Sequence, residues 1–257
     1  MNRYETDLTD IQYKIIEKNL PEEEVKRKRK YPLREIWNAL LYLNKTGCHW
    51  RMLPRDFPKW NAVYYYFQKW RDSEMFSLIM DLIRSTVRVL SGHSCSPSIG
   101  IIDSQTAKSG NHCNLSGYDG NKKIKGRKRH VIVDSQGALL TVLVHPAHQH
   151  DSKMAPLVMQ RMGENIFSVQ NMYADGGYRG ELREIVKERF GCTLNIVLRN
   201  DDAKIFKPLP RRWVVERSFA WMNSSRRLAK DFEMLFESSE SMIYLTEIRR
   251  LLNKIQK

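Results

Sequence analysis

Two short apolar runs in this chain each end on an aspartate: Ile101-Ile102-Asp103 and Met172-Tyr173-Ala174-Asp175. Short runs of this kind read as buried strands. A third carboxylate, Glu216, stands alone among large apolar and cationic residues in Arg211-Arg212-Trp213-Val214-Val215-Glu216-Arg217-Ser218-Phe219-Ala220-Trp221. A glutamate on the inner face of such a helix is costly to desolvate unless something positive meets it. The fold is therefore expected to bring Asp103, Asp175 and Glu216 to one place around shared positive charge.

The bulk composition narrows the partners. The 257 residues can bury a sizeable core, as one large or two modest domains. With 43 Lys+Arg against 29 Asp+Glu the chain carries +14, which points to a polyanion, with nucleic acid ahead of an anionic membrane surface. The cations are not gathered on one amphipathic helix, and no apolar run reaches the roughly 18 residues of a bilayer span. Cys48, Cys95, Cys113 and Cys192 form no CxxC pair, so they read as reduced thiols of a cytosolic protein, and no signal peptide is expected from the first residues.

Residues 1–92 read as helical. Thr9 or Asp10 caps a first helix that runs to Asn19, and a five-cation run, Lys26 to Lys30, follows as an exposed arm, either solvated or in phosphate contact. Pro32 opens a second helix that ends at Thr46-Gly47. A proline-bearing loop over 50–60 follows, and Asn61 caps a third helix bearing Val63, Tyr64, Tyr65, Tyr66, Phe67 and Trp70. Such aromatics are more often core than base-stacking platforms, although a compact helical unit with Lys69 and Arg71 also suits a helix-turn-helix-like DNA reader. A fourth helix spans roughly Met75 to Leu90, and the polar, Pro-containing stretch 91–98 marks a domain boundary.

Beyond it the character changes. Strands are expected at Ile99–Asp103, Arg129–Asp134, Ala138–Val144, Val169–Ala174 and Leu194–Leu198. Helices are expected from Asp151-Ser152 to about Met162, at Glu181–Phe190, after Pro210 and at Ser239–Ile255, the last with Met242, Leu245, Ile248, Leu252 and Ile255 inward. The order β-β-β-α-β-α-β-α is that of a mixed α/β RNase H-like domain over 98–257, preceded by a helical DNA-binding domain over 1–92.

In that fold the first and fourth strands are parallel neighbours, and the helix carrying Glu216 crosses their end. Three carboxylates there form an oxygen-rich site suited to Mg2+ or Mn2+. Two such ions can activate an attacking oxygen and stabilise a leaving one in phosphoryl displacement. Singly, each carboxylate has an ordinary explanation: Asp103 ends a strand, Asp175-Gly176-Gly177 makes a turn, and Glu216 pairs with Arg212 one helical turn back. Taken together, with apolar lead-ins to both aspartates, the ordinary explanations are less adequate. Asp119, Asp134 and Asp151 are placed in the basic-loop approach, a hairpin turn and a helix cap. His145, His148 and His150 match no common zinc spacing and read as strand-end and cap residues.

The blocks Ile102-Asp103-Ser104-Gln105, Tyr173-Ala174-Asp175-Gly176-Gly177-Tyr178 and Trp213 to Trp221 resemble the three catalytic blocks of insertion-sequence transposases with a DDE triad, in particular the insertion-sequence-five-like group. Tyr4 to Thr9, Thr46 to Pro54 and Gly117 to His130 resemble that group as well, so the likeness runs almost end to end. It implies a DNA transposase that binds terminal inverted repeats, cleaves the element's ends and joins the freed 3′-hydroxyl to target DNA. It also implies Asp103, Asp175 and Glu216 as catalytic metal ligands for two Mg2+ or Mn2+ ions, and a homo-oligomer on double-stranded DNA in the bacterial cytoplasm at the nucleoid. Relatives carry Tyr, Arg, Glu and Lys at fixed spacing along the catalytic helix. Here Arg212 matches the arginine, whereas Leu209 and Asn223 stand at the Tyr and Lys positions. Arg212 or Arg227 is then expected to contact phosphate near the metals.

The segment Asn121 to His130 carries six cations and no acid: Lys122, Lys123, Lys125, Arg127, Lys128 and Arg129. As a loop leaving the sheet end that holds Asp103, it suits a DNA backbone. An RNase H-like nuclease that does not join strands, and a non-catalytic regulator derived from a transposase, are the alternatives to a transposase.

Overall fold

The computed structural model describes residues 3–20, 29–110, 113, 115–198 and 212–255. The chain begins with four helices: α1 (Asp10–Glu17), α2 (Leu33–Thr46), α3 (Trp60–Asp72) and α4 (Met75–Leu90). Thr9 starts α1 with a capping box: its hydroxyl accepts from Gln12 N–H while the Gln12 side chain takes the Thr9 N–H. Pro32 precedes α2, and Gly47 ends it in the left-handed region at φ 70°, where glycine has no Cβ penalty. The third helix starts at Trp60 with Lys59 at its cap, two residues before the expected cap Asn61, and no side chain caps it. Of its aromatics, Phe67 and Trp70 are buried. The Trp37 and Trp70 rings stack with centroids 5.0 Å apart, so this face builds core.

Strands β1 (Ile99–Lys108), β2 (Gly117–Asp119), β3 (Ile124–Val133) and β4 (Leu139–Pro146) follow. Helix α5 (Asp151–Gln160), strand β5 (Asn171–Ala174), helix α6 (Leu182–Phe190) and strand β6 (Thr193–Ile196) come next, and α7 (Trp213–Met222) and α8 (Phe236–Ile255) complete the described chain. The sheet runs β2-β3-β1-β5-β6, with β4 also on β3; β1 is antiparallel to β3 and parallel to β5, and β5 is parallel to β6. This mixed order is RNase H-like, as anticipated.

Three expectations need correction. The first strand continues five residues past Asp103, because its polar half stays paired to β3 through Lys108 opposite Gly126. Residue 126 must be glycine for that approach: a Cβ there would lie 1.9 Å from the Ala107 carbonyl oxygen. Second, β3 starts at Ile124, so most of the expected basic loop is strand, with the short β2 paired to its first residues. Third, the residue capping α5 is His150, and Asp151 is already helical.

Side-chain alternation divides the core between the two faces of the sheet. Ile101, Val131, Val133, Val142 and Val144 pack with residues of α1–α4, α7 and α8, whereas Ile102, Ile132, Leu140 and Met172 pack with α5 and α6. The helical N-terminal region thus shares one continuous apolar cluster with the C-terminal helix. Met242, Leu245, Ile248 and Leu252 are buried on α8, and Ile255 is partly so. Because β4 pairs only with β3 among the described strands, its outer backbone donors need partners. Glu240 and Glu247 of α8 accept from Val144 N–H at 2.9 Å and Leu139 N–H at 3.0 Å. No described helix is long and apolar enough to cross a membrane.

Candidate active site

Parallel pairing of β1 with β5 sets Ile101 opposite Tyr173. Two residues further on, the same register carries Asp103 and Asp175 to neighbouring positions. Asp103 shares the sheet face of Ile101, and its side chain is 16 % exposed. Its Oδ1 accepts the Ser104 N–H at 2.7 Å. Burial pushes its carboxyl up to about 6, against the opposing pull of that N–H and of Arg212. Asp175 stands directly after β5 in extended backbone, where its Oδ1 accepts the Gly177 N–H at 2.8 Å and caps the 3-10 turn Gly176–Tyr178.

Glu216 lies in the first turn of α7. Val214, Val215, Ser218, Phe219 and Met222 face the core, while the Glu216 side chain is 52 % exposed. The expectation of a desolvated inner-face glutamate is therefore incorrect: helical phase puts Val214, Val215, Phe219 and Met222 inward and leaves both Trp213 and the glutamate at the rim. The Ser218 hydroxyl donates to the Gly137 carbonyl at 2.9 Å and Arg217 Nη2 to the Gln136 carbonyl at 3.0 Å, which fix α7 on the β3–β4 turn.

The positive charge that these acids share comes from the chain itself. Arg212 Nη2 lies 3.4 Å from Asp175 Oδ2, 3.6 Å from Glu216 Oε1 and 3.8 Å from Asp103 Oδ2. Arg212 was expected to face phosphate; here its guanidinium faces the three carboxylates, and its side chain is 17 % exposed. Its buried Nε has no hydrogen-bond partner among the described residues.

The six cations of residues 121–130 divide at Gly126. Lys122, Lys123 and Lys125 are exposed, and Lys122 Nζ lies 3.4 Å from the Ser104 carbonyl, beside Asp103. Arg127, Lys128 and Arg129 are buried, contrary to a role at an open DNA surface. Arg127 donates to the carbonyls of Leu115, Glu233 and Met234 at 3.0, 2.8 and 2.8 Å and lies 3.5 Å from Asp231. Lys128 donates to Asp151 and to the Gln149 carbonyl, both at 2.9 Å. Burial pulls the Arg129 guanidinium down, with only the charge of Asp231 opposing it. Arg227 is likewise turned inward, donating to Glu233 Oε1 at 2.7 Å and to the Cys48 carbonyl at 3.2 Å. Of the N-terminal basic run, Arg29 and Lys30 are exposed, and Lys26 to Lys28 lie outside the described residues, as does Leu209.

A layer of side chains behind the acids escaped sequence reasoning. The buried Tyr178 hydroxyl is 2.7 Å from His130 Nε2, His130 Nδ1 is 3.4 Å from His145 Nε2, and His145 Nδ1 is 3.1 Å from the Pro146 carbonyl. Burial lowers His130 to about 3, so the ring is neutral. His145 is a strand-end residue, as expected, but its partner lies across the sheet, where no linear spacing reveals it. Together with Asp151, the two histidines offer ligand atoms within 4.8 Å of one another. Lys128 already occupies Asp151, and the outer ring nitrogens are held by Tyr178 and Pro146, so hydrogen bonds alone account for this group. The one sequence signal was the Tyr that closes Asp175-Gly176-Gly177-Tyr178.

Comparison with known families gives two matches. Residues 8–80 match a transposase family of IS4/5 type, DUF4096, and residues 94–245 match the transposase DDE domain. No curated protein matches the chain.

Proposed function

The chain belongs to the DDE transposases of the IS4/5 family, and from that premise we propose that it binds the inverted repeats at an element's ends, cleaves them and joins the 3′-hydroxyls to target DNA. The observation that carries the proposal is the convergence of Asp103, Asp175 and Glu216, from segments far apart in the chain, within 4 Å of one guanidinium nitrogen. Three carboxylates around a single positive centre, all oxygen donors, fit hard divalent cations such as Mg2+ or Mn2+. Bound ions supply Lewis acidity for the attacking and leaving oxygens of a phosphodiester.

The chain's own residues do the positioning. Asp103 is fixed by the Ser104 N–H and Asp175 by the Gly177 N–H, so each presents its other oxygen to the common centre. Glu216, exposed at the rim, is the carboxylate with the most freedom to meet a ligand. Lys122, which reaches back to the Ser104 carbonyl beside Asp103, and the exposed Lys123 and Lys125 farther along the sheet supply three cations suited to a DNA backbone that approaches the site. Residues 1–92 are proposed as the end-binding unit and 98–257 as the catalytic unit. Two ends must be held together for joining, so a homo-oligomer on DNA forms part of the proposal.

The test is purified protein with Mg2+ and oligonucleotides bearing the element's terminal repeats. Cleavage and joining are expected, with Asp103→Asn binding DNA but doing neither. Cleavage without joining would identify a nuclease, and binding with no metal-dependent cleavage a regulator.

A further inference from the structure

The placement of Arg212 carries a consequence for how a cation reaches the site. Its guanidinium lies within ion-pair range of all three carboxylates, at 3.4, 3.6 and 3.8 Å. Those separations exceed the roughly 2.7–2.9 Å of a charge-assisted hydrogen bond. The group therefore neutralises the three acids collectively without making a tight bidentate pair with any one. A side chain only 17 % exposed, with its Nε unpartnered among the described residues, is held there by charge more than by hydrogen bonding.

We propose that Arg212 is the site's resident counter-cation: it holds the three carboxylates together before metal arrives and competes directly with divalent metal for them. This rests on the reading of Asp103, Asp175 and Glu216 as metal ligands. Two positive centres cannot share the space between the same oxygens without strong repulsion, so entry of a divalent ion drives the guanidinium out. Arg212 thereby sets the metal affinity of the free protein. Once displaced it is a planar donor near the metal site, where a phosphate oxygen is the chemically matched partner.

The test measures cation binding to the full chain without DNA. Mn2+ is titrated into wild type and Arg212→Gln by calorimetry, and free Mn2+ is followed by paramagnetic resonance. Arg212→Gln is expected to bind Mn2+ about tenfold or more tightly, to melt at a lower temperature without metal, and to gain more in Tm on Mn2+ addition than wild type does. A measurement on unmodified protein guards against a variant that does not fold: the Arg212 Nε–H resonance of wild type should shift as Mg2+ is added. Equal or weaker binding by Arg212→Gln, or an Nε–H signal unmoved while Mg2+ binds, overturns the competition and leaves the metal site standing. If neither protein binds Mn2+, the metal-site reading itself falls, and the proposal with it.

Discussion

Asp103 and Asp175 are neighbours because β1 and β5 run parallel with Ile101 opposite Tyr173. Parallel register carries both strands two residues further, to the point where β5 stops and β1 continues against β3 alone. One carboxylate is thus set inside a continuing strand and the other in a turn that has just left the sheet. Their environments differ accordingly, and the first prediction uses that difference.

Burial pushes the Asp103 carboxyl from 3.8 to about 6, so ionising it opposes folding by on the order of 3 kcal/mol. Between about pH 4 and 6 the folded state binds the proton that the unfolded state has released. Stability from this group is therefore present at low pH and lost as pH rises through about 6. Asp103→Asn removes the term. The metal-free variant is expected to be more stable than wild type at pH 8, with the gap closing by about pH 4. Urea unfolding across that range in the presence of a chelator measures it, and a gap that widens on acidification would contradict the assignment.

Arg127 and Lys125 lie two residues apart in the same strand but should respond to substitution in unrelated ways. Arg127 is fully buried and donates to three backbone carbonyls. Arg127→Ala removes the donor to those carbonyls and the cation beside the buried Asp231, for an expected loss of about 3–5 kcal/mol. Lys125 is exposed, so Lys125→Ala should leave stability within about 0.5 kcal/mol. It should instead weaken DNA binding regardless of sequence and lower the salt slope by about 1. Thermal melts and salt-dependent anisotropy on the two variants separate these effects.

The same pair of residues shows what local pattern can and cannot reveal. Ile101-Ile102, Val131 to Val133 and Leu139 to Val144 are apolar runs, and their burial follows from composition alone. The strand order followed from the sequence of elements. By contrast, Ser104 to Lys108 and Gly126 to Lys128 read as polar or basic loop, yet they lie within the longest antiparallel pairing in the sheet. The burial of Arg127 is made tolerable by Asp231 and the Glu233 and Met234 carbonyls, about a hundred residues away, and no window of sequence contains both halves of that arrangement. At the site, the residue types were legible but the orientations were not. Glu216 was identifiable as the lone acid of its helix, but its exposure depends on which face of α7 meets the sheet.

Glu240 closes the unpaired edge of β4. It accepts the Val144 N–H at 2.9 Å and the Arg161 guanidinium at 2.5 Å, and only 4 % of it is exposed. Glu240→Ala strands a buried backbone donor and removes the partner of Arg161, at an expected cost of about 2–4 kcal/mol. Glu240→Gln keeps an oxygen for Val144 and should lose less. Equal destabilisation by the two variants would mean that the charge on Arg161, rather than the edge N–H, is what Glu240 serves.

Tyr178 ties the turn that carries Asp175 to the sheet through His130. The hydroxyl contact is 2.7 Å and both groups are buried, so Tyr178→Phe removes a hydrogen bond and leaves His130 Nε2 without its partner. A loss of about 1–3 kcal/mol is expected. The pH dependence should identify the cause. Burial lowers His130 from 6.5 to about 3, so the unfolded state binds a proton that the folded state does not. This contribution is fully present above about pH 6.5 and is lost as pH falls toward 3. His130→Gln should therefore flatten the acid limb of the stability curve, whereas Tyr178→Phe should keep that limb and lower the whole curve. The variant that loosens the Asp175 turn is also expected to bind Mn2+ more weakly than wild type by severalfold. Unchanged Mn2+ affinity in Tyr178→Phe would confine the Tyr178–His130 contact to the core, with no influence on where Asp175 stands.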